Sequence, residues 1–234
     1  MVRIIVTKEV SSMEDRFFRN LGALTEAECA LLGKKSVLLA GCGGLGGYLL
    51  EYLLRLGVGR ILAADGERFE PTNLNRQLLC TEASLGRFKA EAAAERAAAL
   101  GLPGRVIPIP ERLDGENLPG LLRGCDAALD ALDSVAARRV LKAACDGAGI
   151  PYIHGAVQGW QAQAALSLPG DGLLEKLYPA EELPGDKSVL PFAPALGAAL
   201  EAALCARFLC GRPVEAGRLY GLDLLDMNWF ELGL

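Results

Sequence analysis

Histidine and paired cysteines are scarce in this chain, which has one histidine and seven cysteines without a CxxC pair. A Ser/His/Asp or Cys/His catalytic system needs a histidine beside its nucleophile. His154 lies inside a predicted strand, where we expect a buried core residue, so the sequence argues against triad hydrolysis. The cysteines lack the spacing of a metal site, and we interpret most of them as small buried side chains in a reducing compartment.

An excess of positive charge and a long apolar run are also missing. The 24 basic and 29 acidic side chains give a formal net charge of −5, which provides no electrostatic reason for nucleic acid or an anionic membrane as the main partner. Residues 1–10 lack the apolar core of a signal peptide, and later apolar runs are broken well before the ~20 residues that span a bilayer. We expect a cytoplasmic protein with no membrane partner and no nucleic acid partner.

Short apolar strands alternate with helices along most of the chain, as is typical of an α/β fold. Predicted strands cover residues 36–40, 60–65, 106–109, 127–130, 152–157 and 162–168. Predicted helices cover residues 25–33, 45–56, 84–100, 134–147 and 196–210, with Thr25 and Ser134 as N-caps. The 234 residues are 51% hydrophobic without a composition shift, so we expect one domain. The pattern predicts a doubly wound, mostly parallel Rossmann-like sheet with helices on both faces.

The last third of the chain is less regular. Residues 168–191 are rich in proline and glycine and predict a long surface loop. The helix at 196–210 is apolar almost all round, so we expect it to be buried against the sheet or against a second subunit. Residues 218–225 and 228–232 predict a closing hairpin, which would give the sheet a C-terminal antiparallel portion.

A glycine loop stands between the first predicted strand and its helix. Gly41, Gly43 and Gly46 fit the GxGxxG pattern, whose bare backbone N–H groups and helix N-terminus can face phosphate oxygens. Asp65 ends the next strand 19 residues after Gly46, near the ~20 expected of a carboxylate that binds ribose hydroxyls. Its alternative role is that of an ordinary strand-end acid in a turn. The pair indicates a nucleotide site.

Polar residues beyond this site indicate that the phosphates react. Asn73, Arg76 and Lys89 supply an amide and two cations, which a triphosphate needs when its charge must be held during reaction. Either cation alone fits a solvated loop equally well. Asp133, after another strand, is a candidate Mg²⁺ ligand or a helix N-terminal acid, whereas Asp130 is interpreted as structural.

Two arginines precede the first helix. Arg16 and Arg19 lie outside the sheet by sequence. Spacing alone leaves two readings open, since they could reach a neighbouring subunit's phosphates or form a surface basic pair.

These motifs resemble those of the adenylating, E1-like enzymes of the ThiF/MoeB/HesA superfamily. The resemblance rests on six segments: DRFFR at 15–19, GCGGLG at 41–46, DGE at 65–67, NLNRQ at 73–77, GRFK at 86–89 and DALD at 130–133, with SVLP at 188–191 near the end. NLNRQ at this distance from Asp65 is the specific part.

The resemblance implies ATP- and Mg²⁺-dependent adenylation of the C-terminal glycine of a ubiquitin-like sulfur carrier ending in Gly-Gly, of the ThiS or MoaD kind. It assigns the cofactor-binding site to Gly41, Gly43, Gly44, Asp65, Asn73, Arg76, Gln77, Lys89 and Asp133, with Asp133 holding Mg²⁺. Arg16, Arg76, Lys89 and Asp133 are the implied catalytic residues. Arg16 would reach the ATP site across a dimer interface, so a homodimer is implied. Residues 1–33 would be a helical arm, 34–150 the nucleotide-binding half and 151–234 the carrier-binding and dimer half.

Departures from the family pattern narrow this expectation. Many members carry two CxxC pairs for zinc, whereas the first matching region here is GLLEKL at 172–177, so we predict no zinc. Members that form a thioester or persulfide use a cysteine before the Val-Leu-Pro segment, and this chain has none between Cys145 and Cys205, so we expect adenylation only, with sulfur from another protein. Ser134 replaces a usual asparagine, and Asn20 a usual glutamine.

Three other readings stay open. A tRNA threonylcarbamoyladenosine dehydratase would also activate a carboxylate with ATP, but the acidic balance argues mildly against it. An NAD-dependent oxidoreductase would use the glycine loop and Asp65, but it would leave Arg76 and Lys89 unexplained. A degenerate member would bind a carrier without activating it.

Overall fold

A single eight-stranded sheet organises the protein, as the computed structural model shows for residues 15–179 and 188–234. The strand order is β3-β2-β1-β4-β5-β6-β7-β8. The first five strands are parallel, and β6, β7 and β8 run antiparallel to their neighbours. The order reverses between β1 and β4, which is where open α/β sheets bind ligands. The predicted fold class is confirmed, including the antiparallel C-terminal portion.

The elements follow one another in regular alternation through the parallel half. The strands are β1 Ser36–Ala40, β2 Arg60–Ala64, β3 Val106–Ile109, β4 Ala127–Asp130, β5 Tyr152–Gln158, β6 Gln161–Ser167, β7 Arg218–Asp223 and β8 Asn228–Gly233. The α-helices are α1 Glu26–Leu32, α2 Gly44–Leu56, α3 Lys89–Ala99, α4 Leu118–Leu122, α5 Val135–Ala148, α6 Leu173–Leu177 and α7 Phe192–Leu209. Short 3-10 helices cover Asp15–Asn20, Pro71–Asn73 and Glu82–Ser84.

Hydrophobic cores lie on both faces of the sheet, because successive strand residues point to opposite sides. In β1, Val37 and Leu39 belong to the core beneath α2 and α7, whereas Leu38 and Ala40 belong to the core beneath α4 and α5. All five residues of β1 are buried, as expected for a central parallel strand. This strand ends in the glycine loop.

Local sequence signals place the helix ends. Thr25 and Glu28 form a capping box at α1, and the Ser134 hydroxyl accepts a hydrogen bond from the Ala137 N–H at the start of α5. Gly57 and Gly149 adopt left-handed conformations after α2 and α5, where a residue without Cβ ends a helix at little steric cost. Both N-cap predictions are confirmed.

Two predicted helix starts and one predicted loop differ from the structure. Helix α3 starts at Lys89 rather than Ser84, because Glu82–Ser84 is a 3-10 helix and Gly86 has φ +78°. Helix α7 begins at Phe192 rather than Leu196, since a proline is tolerated in a helix's first turn. Within residues 168–191, predicted as loop, α6 forms and Val189 pairs with Gly159. Residues 1–14 of the predicted arm and 180–187 of that loop lie outside the described residues.

Helix α7 packs against α2, β5 and β6. Among the described residues it is the one helix long and apolar enough to cross a membrane by length and composition, and half of it is buried within the protein. A Cβ at Gly197 would lie 2.8 Å from Val157 Cγ1, so this glycine permits close contact with β5. The predicted burial of this helix against the sheet is confirmed.

Candidate nucleotide site

The glycine loop is a tight turn at the carboxyl end of β1. Gly41 has φ +96°, and a Cβ there would lie 2.6 Å from the Ala131 carbonyl oxygen. A Cβ at Gly46 would lie 1.9 Å from the Gly41 carbonyl oxygen. The chain itself therefore requires glycine at these two positions.

Gly43 and Gly44 have a different environment. A Cβ at Gly43 would approach Gln77 Nε2 no closer than 3.5 Å, and one at Gly44 would lie 3.5 Å from Pro194 Cγ. Both are ordinary contact distances, so packing against the protein does not require these glycines. Their bare backbone, beside the start of α2, leaves room for a ligand of the kind that helix N-termini bind.

Asp65 joins the end of β2 to the glycine loop. Its Oδ2 accepts a hydrogen bond from the Cys42 N–H at 2.8 Å, and its Oδ1 accepts one from the Glu67 N–H at 2.8 Å. Burial raises the pKa of Asp65, against the opposing effects of these two N–H groups and Lys89. Each carboxylate oxygen keeps a further lone pair, so Asp65 can still accept hydrogen bonds from hydroxyl groups.

The segment after β2 folds back over the loop. Asn73 is buried, and its Oδ1 accepts a hydrogen bond from the Glu70 N–H at 3.1 Å. Arg76 Nη1 donates to the Thr72 carbonyl and to Asn75 Oδ1, each at 2.9 Å. Within residues 15–179 and 188–234 the guanidinium of Arg76 has no carboxylate partner. It is therefore an uncompensated positive charge near Gly44, whose added Cβ would meet Arg76 Cγ at 3.7 Å.

Gln77 supplies an unpaired acceptor beside the loop. Its side chain is buried, and within residues 15–179 and 188–234 its Oε1 has no hydrogen-bond partner. Buried amide oxygens without a partner are uncommon in folded proteins. The neighbouring Gln77 Nε2 faces Gly43, so this orphaned group lies next to the open part of the loop.

Lys89 lies at the first residue of α3, with a side chain that is only 5% exposed. Its Nζ is 2.6 Å from Glu67 Oε2, and its backbone N–H donates to the Glu67 carbonyl at 3.0 Å. Lys89 and Glu67 line a cleft of about 390 Å³, together with Gly66, Arg68, Glu70 and Asn73. Asn73 and Lys89 thus line one cleft, and Asp65, which directly precedes the cleft residue Gly66, acts electrostatically on Lys89.

The two aspartates after β4 have different roles. Asp133 is exposed in the loop that leads to α5. Asp130 is fully buried; its Oδ2 accepts a hydrogen bond from Arg138 Nη1 at 2.7 Å, and Tyr152 donates its hydroxyl to the same oxygen. Burial opposes ionisation of Asp130, but Arg138 and His154 hold its pKa below the ordinary value. Its structural role is confirmed.

His154 belongs to the same buried cluster. It has no exposed surface, and its Nδ1 lies 3.2 Å from Asp130 Oδ2. Burial lowers the pKa of His154, which favours the neutral ring. The prediction of a satisfied core histidine is confirmed.

Arg16 is not brought to this cleft within one chain. Its Nη1 donates to the Leu100 and Gly101 carbonyls, at 2.8 and 3.0 Å, after the C-terminus of α3. Because α3 runs back along the sheet towards the start of β3, this end lies opposite the carboxyl edge that holds the glycine loop. Arg19 is exposed in the same 3-10 helix.

Two residues that hold the site together were missed by the sequence analysis. Glu67 pairs with Lys89. The one sequence signal for Glu67 is its position two residues after Asp65. Arg138 donates to the Leu132 and Gly155 carbonyls, at 2.5 and 2.7 Å, as well as to Asp130. It therefore anchors the loop that carries Asp133. No sequence motif around Arg138 distinguishes this buried arginine from a surface arginine of the same helix.

Comparison with known proteins decides the family. A family model described as the ThiF family matches residues 17–234. The chain belongs to the ThiF family. Similar curated proteins include the SAMP-activating enzyme E1 of Haloferax volcanii, 31% identical over 212 residues, covering 87% of this chain and 78% of the relative. The sulfur carrier protein adenylyltransferase of Thermus thermophilus is 34% identical over 215 residues, covering 86% and 79%.

Further comparisons agree with this family. The sulfur carrier protein ThiS adenylyltransferase of Escherichia coli is 29% identical over 234 residues, covering 95% of this chain and 93% of the relative. A solved structure of E. coli MccB with MccA-N7isoASN has a TM-score of 0.80 at 21% identity, covering 95% of this chain and 72% of that one. The latter shows the fold alone. This ThiF-family chain is an E1-like adenylyltransferase.

Proposed function

We propose that this protein uses ATP to adenylate the C-terminal glycine carboxylate of a small ubiquitin-like sulfur-carrier protein, of the ThiS or MoaD kind, and releases pyrophosphate. The reaction would serve the biosynthesis of a sulfur-containing cofactor. One observation carries the proposal: the cleft lined by Asn73 and Lys89 adjoins Asp65, whose carboxylate accepts a hydrogen bond from the Cys42 N–H of the glycine loop. The names of the relatives, which refer to sulfur carriers, supply the substrate class.

The residues of the cleft fit ATP and Mg²⁺. Packing does not require glycine at positions 43 and 44, so their backbone is open to a ligand. Beside them, the buried Oε1 of Gln77 has no partner in the described part of the chain. In this proposal Asp65 would bind the ribose, and Asn73, Arg76 and Lys89 would bind the phosphates. Asp133 would hold Mg²⁺, since that ion prefers oxygen ligands and is often bound through one or two carboxylates. When bound, Mg²⁺ would neutralise phosphate charge.

The proposed chemistry needs no histidine. A glycine carboxylate is already an anion at pH 7, so no group has to remove a proton from it. One of its oxygens forms a bond to the α-phosphorus while the bond from that phosphorus to the bridging oxygen breaks, and pyrophosphate leaves with the electron pair. Arg76 and Lys89 would bring two anions together and offset the charge that develops on the phosphate oxygens. The proposal assigns no step to the buried His154.

Assembly and location belong to the same proposal. We propose a cytoplasmic homodimer in which Arg16 contributes to the neighbouring subunit's site. The expectation of no zinc stays a prediction; among residues 15–179 and 188–234, no group of three or more His, Cys, Asp or Glu residues could hold a metal ion.

Substitutions in the cleft test the assignment. Arg76→Ala and Asp133→Asn should each slow formation of the carrier adenylate by about 100-fold or more, because each removes a group proposed to stabilise the transition state. Mass spectrometry of a carrier protein ending in Gly-Gly, incubated with ATP and Mg²⁺, would measure the adenylate. Arg87→Ala is the matched control, since Arg87 is a nearby arginine that pairs with Glu95 on the surface. An unchanged rate in Arg76→Ala or in Asp133→Asn would show that the substituted residue is not part of the site.

A further inference from the structure

The buried ammonium of Lys89 already has an anion beside it in the nucleotide-free protein. Lys89 Nζ lies 2.6 Å from Glu67 Oε2, and the Lys89 side chain is 5% exposed. A buried ammonium without a partner would cost several kcal/mol. Asp65 also acts on Lys89 electrostatically, but the ion pair that Lys89 Nζ forms is with Glu67. Glu67 is therefore the direct counterion of Lys89.

The Glu67 side chain can release Lys89 while the Glu67 backbone stays in place. Its N–H donates to Asp65, and its carbonyl accepts from the Lys89 N–H, which fixes the backbone on both sides. The Glu67 side chain is 71% exposed and lines the same cleft as Lys89. The carboxylate can therefore turn into solvent without disturbing the fold, whereas the Lys89 side chain is buried.

We propose that Glu67 is a positioning residue that holds the Lys89 ammonium in the empty cleft and yields it to a phosphate group of the incoming nucleotide. Binding then exchanges one anion for another on Lys89. The exchange keeps the buried lysine paired in both states. It also makes Glu67 a competitor that weakens nucleotide binding, and it allows the carboxylate to reclaim Lys89 when the phosphates leave. This inference rests on the proposed function only in taking the ligand to be a nucleotide.

Calorimetric titration of ATP, with Mg²⁺ and without a carrier, tests the exchange. Glu67→Gln removes the competing charge but keeps the shape, so ATP should bind about three- to tenfold more tightly, as expected when a partly exposed ion pair no longer has to be broken. Glu70→Gln is the matched control. Glu70 lines the same cleft without an ion pair to Lys89, and its change should stay below about twofold.

The same substitution in a Lys89→Met protein distinguishes loss of the Glu67–Lys89 ion pair from the general electrostatic effect of removing a negative charge. In Lys89→Met, the additional change Glu67→Gln should leave ATP affinity unaltered, because the ion pair is already absent. The inference would be overturned if Glu67→Gln and Glu70→Gln gave equal gains in ATP affinity, or if the gain persisted in Lys89→Met. It would also be overturned if Glu67→Gln bound ATP more weakly, or if the unaltered protein did not bind ATP. Since no carrier is present, a failure of carrier adenylation would leave this ranking of affinities intact, and the two proposals fail separately.

Discussion

Glu201 is a residue whose environment opposes its charge. Its side chain has no exposed surface, and neither carboxylate oxygen has a hydrogen-bond partner among the residues that the structure describes. It faces β5, where a Cβ at Gly155 would lie within 2.1 Å of Glu201 Oε2. Burial, together with the negative charge of Asp130, raises the pKa of Glu201 well above 4.5. The folded protein therefore keeps the proton of this carboxyl to a higher pH than the unfolded chain does.

That raised pKa predicts a pH-dependent stability. Above the unfolded pKa of about 4.5 the unfolded chain has released the proton that the folded chain keeps, so the free energy of unfolding should fall by about 1.4 kcal/mol per pH unit until the folded pKa is reached. Glu201→Gln should remove this slope and be more stable than the unaltered protein at neutral and alkaline pH. Urea unfolding at a series of pH values measures both effects. Parallel pH curves for the two proteins would contradict the account.

An exposed acid provides the control for that comparison. Glu91 lies on the surface of α3, and Glu91→Gln removes the same charge without altering a buried site. Its unfolding free energy should follow the unaltered protein's pH curve, with a difference below about 0.5 kcal/mol.

Residue types in the cleft were readable from the sequence, whereas their partners were not. Asp65 follows a strand at the expected distance from the glycines, and spacing along the chain suffices to suggest its place. The pairing of Lys89 with Glu67 spans 22 residues and depends on where α3 begins. Likewise, Arg138 reaches Asp130 because α5 crosses back over β4 and β5, a contact that only the folded chain defines.

At the scale of elements, the turn from β1 into α2 separates two kinds of glycine. Gly46→Ala places a methyl group against the Gly41 carbonyl, where backbone must shift, and we expect a loss of about 1–3 kcal/mol in the free energy of unfolding. Gly44→Ala meets only ordinary contacts and lies at the first position of α2. Its stability should stay the same or rise by up to about 1 kcal/mol, because alanine favours helix.

The two variants differ in what they test. In the proposed site Gly44 approaches the phosphates, so Gly44→Ala should fold normally and bind ATP at least about tenfold more weakly. Urea unfolding and ATP titration on both proteins give the comparison. A Gly44→Ala protein with unchanged ATP affinity would remove this glycine from the phosphate site, and a Gly46→Ala protein of unchanged stability would contradict the close contact with Gly41.

Strand patterns predicted elements better than helix patterns did. Every predicted strand forms, because four or five consecutive apolar residues between turn signals leave few alternatives in a central sheet. The helix predicted at 84–100 began five residues before the observed start of α3 at Lys89. The segment before α3 is held instead by backbone hydrogen bonds with Phe69 and Glu67. Helix α6 was missed because a five-residue helix carries too few turns to show a period.

At the scale of the whole molecule, the position of Arg16 makes the proposed dimer testable. Arg16 lies at the end of the chain's own α3, opposite the glycine loop, so it can serve a nucleotide site only in another subunit. If it does, Arg16→Ala and Arg76→Ala chains should each be inactive alone. Co-expressed, they should recover about a quarter of the normal activity, because half of the random dimers are mixed and each mixed dimer has one intact site.

Arg19 provides the matched control for that experiment. It is the other arginine of the same 3-10 helix and is exposed. Co-expression of an Arg19→Ala chain with an Arg76→Ala chain shows whether Arg19, rather than Arg16, completes the neighbouring subunit's site. An Arg19→Ala chain that is inactive alone and recovers about a quarter of the activity with Arg76→Ala, beside an Arg16→Ala chain that is active alone, would transfer the role to Arg19. An Arg16→Ala chain that is inactive alone and gives no recovery would contradict a site to which Arg16 contributes from the other subunit.

The most direct test of the central claim is ATP–pyrophosphate exchange, measured with and without a small carrier protein ending in Gly-Gly. Reversible formation of an acyl-adenylate returns labelled pyrophosphate to ATP only when the carboxylate is present. We predict exchange that depends on the carrier and is lost when its terminal glycine is removed. Absence of exchange with every such carrier, from a folded protein that binds ATP, would contradict carrier adenylation and direct the search to a tRNA or a small carboxylate as the substrate.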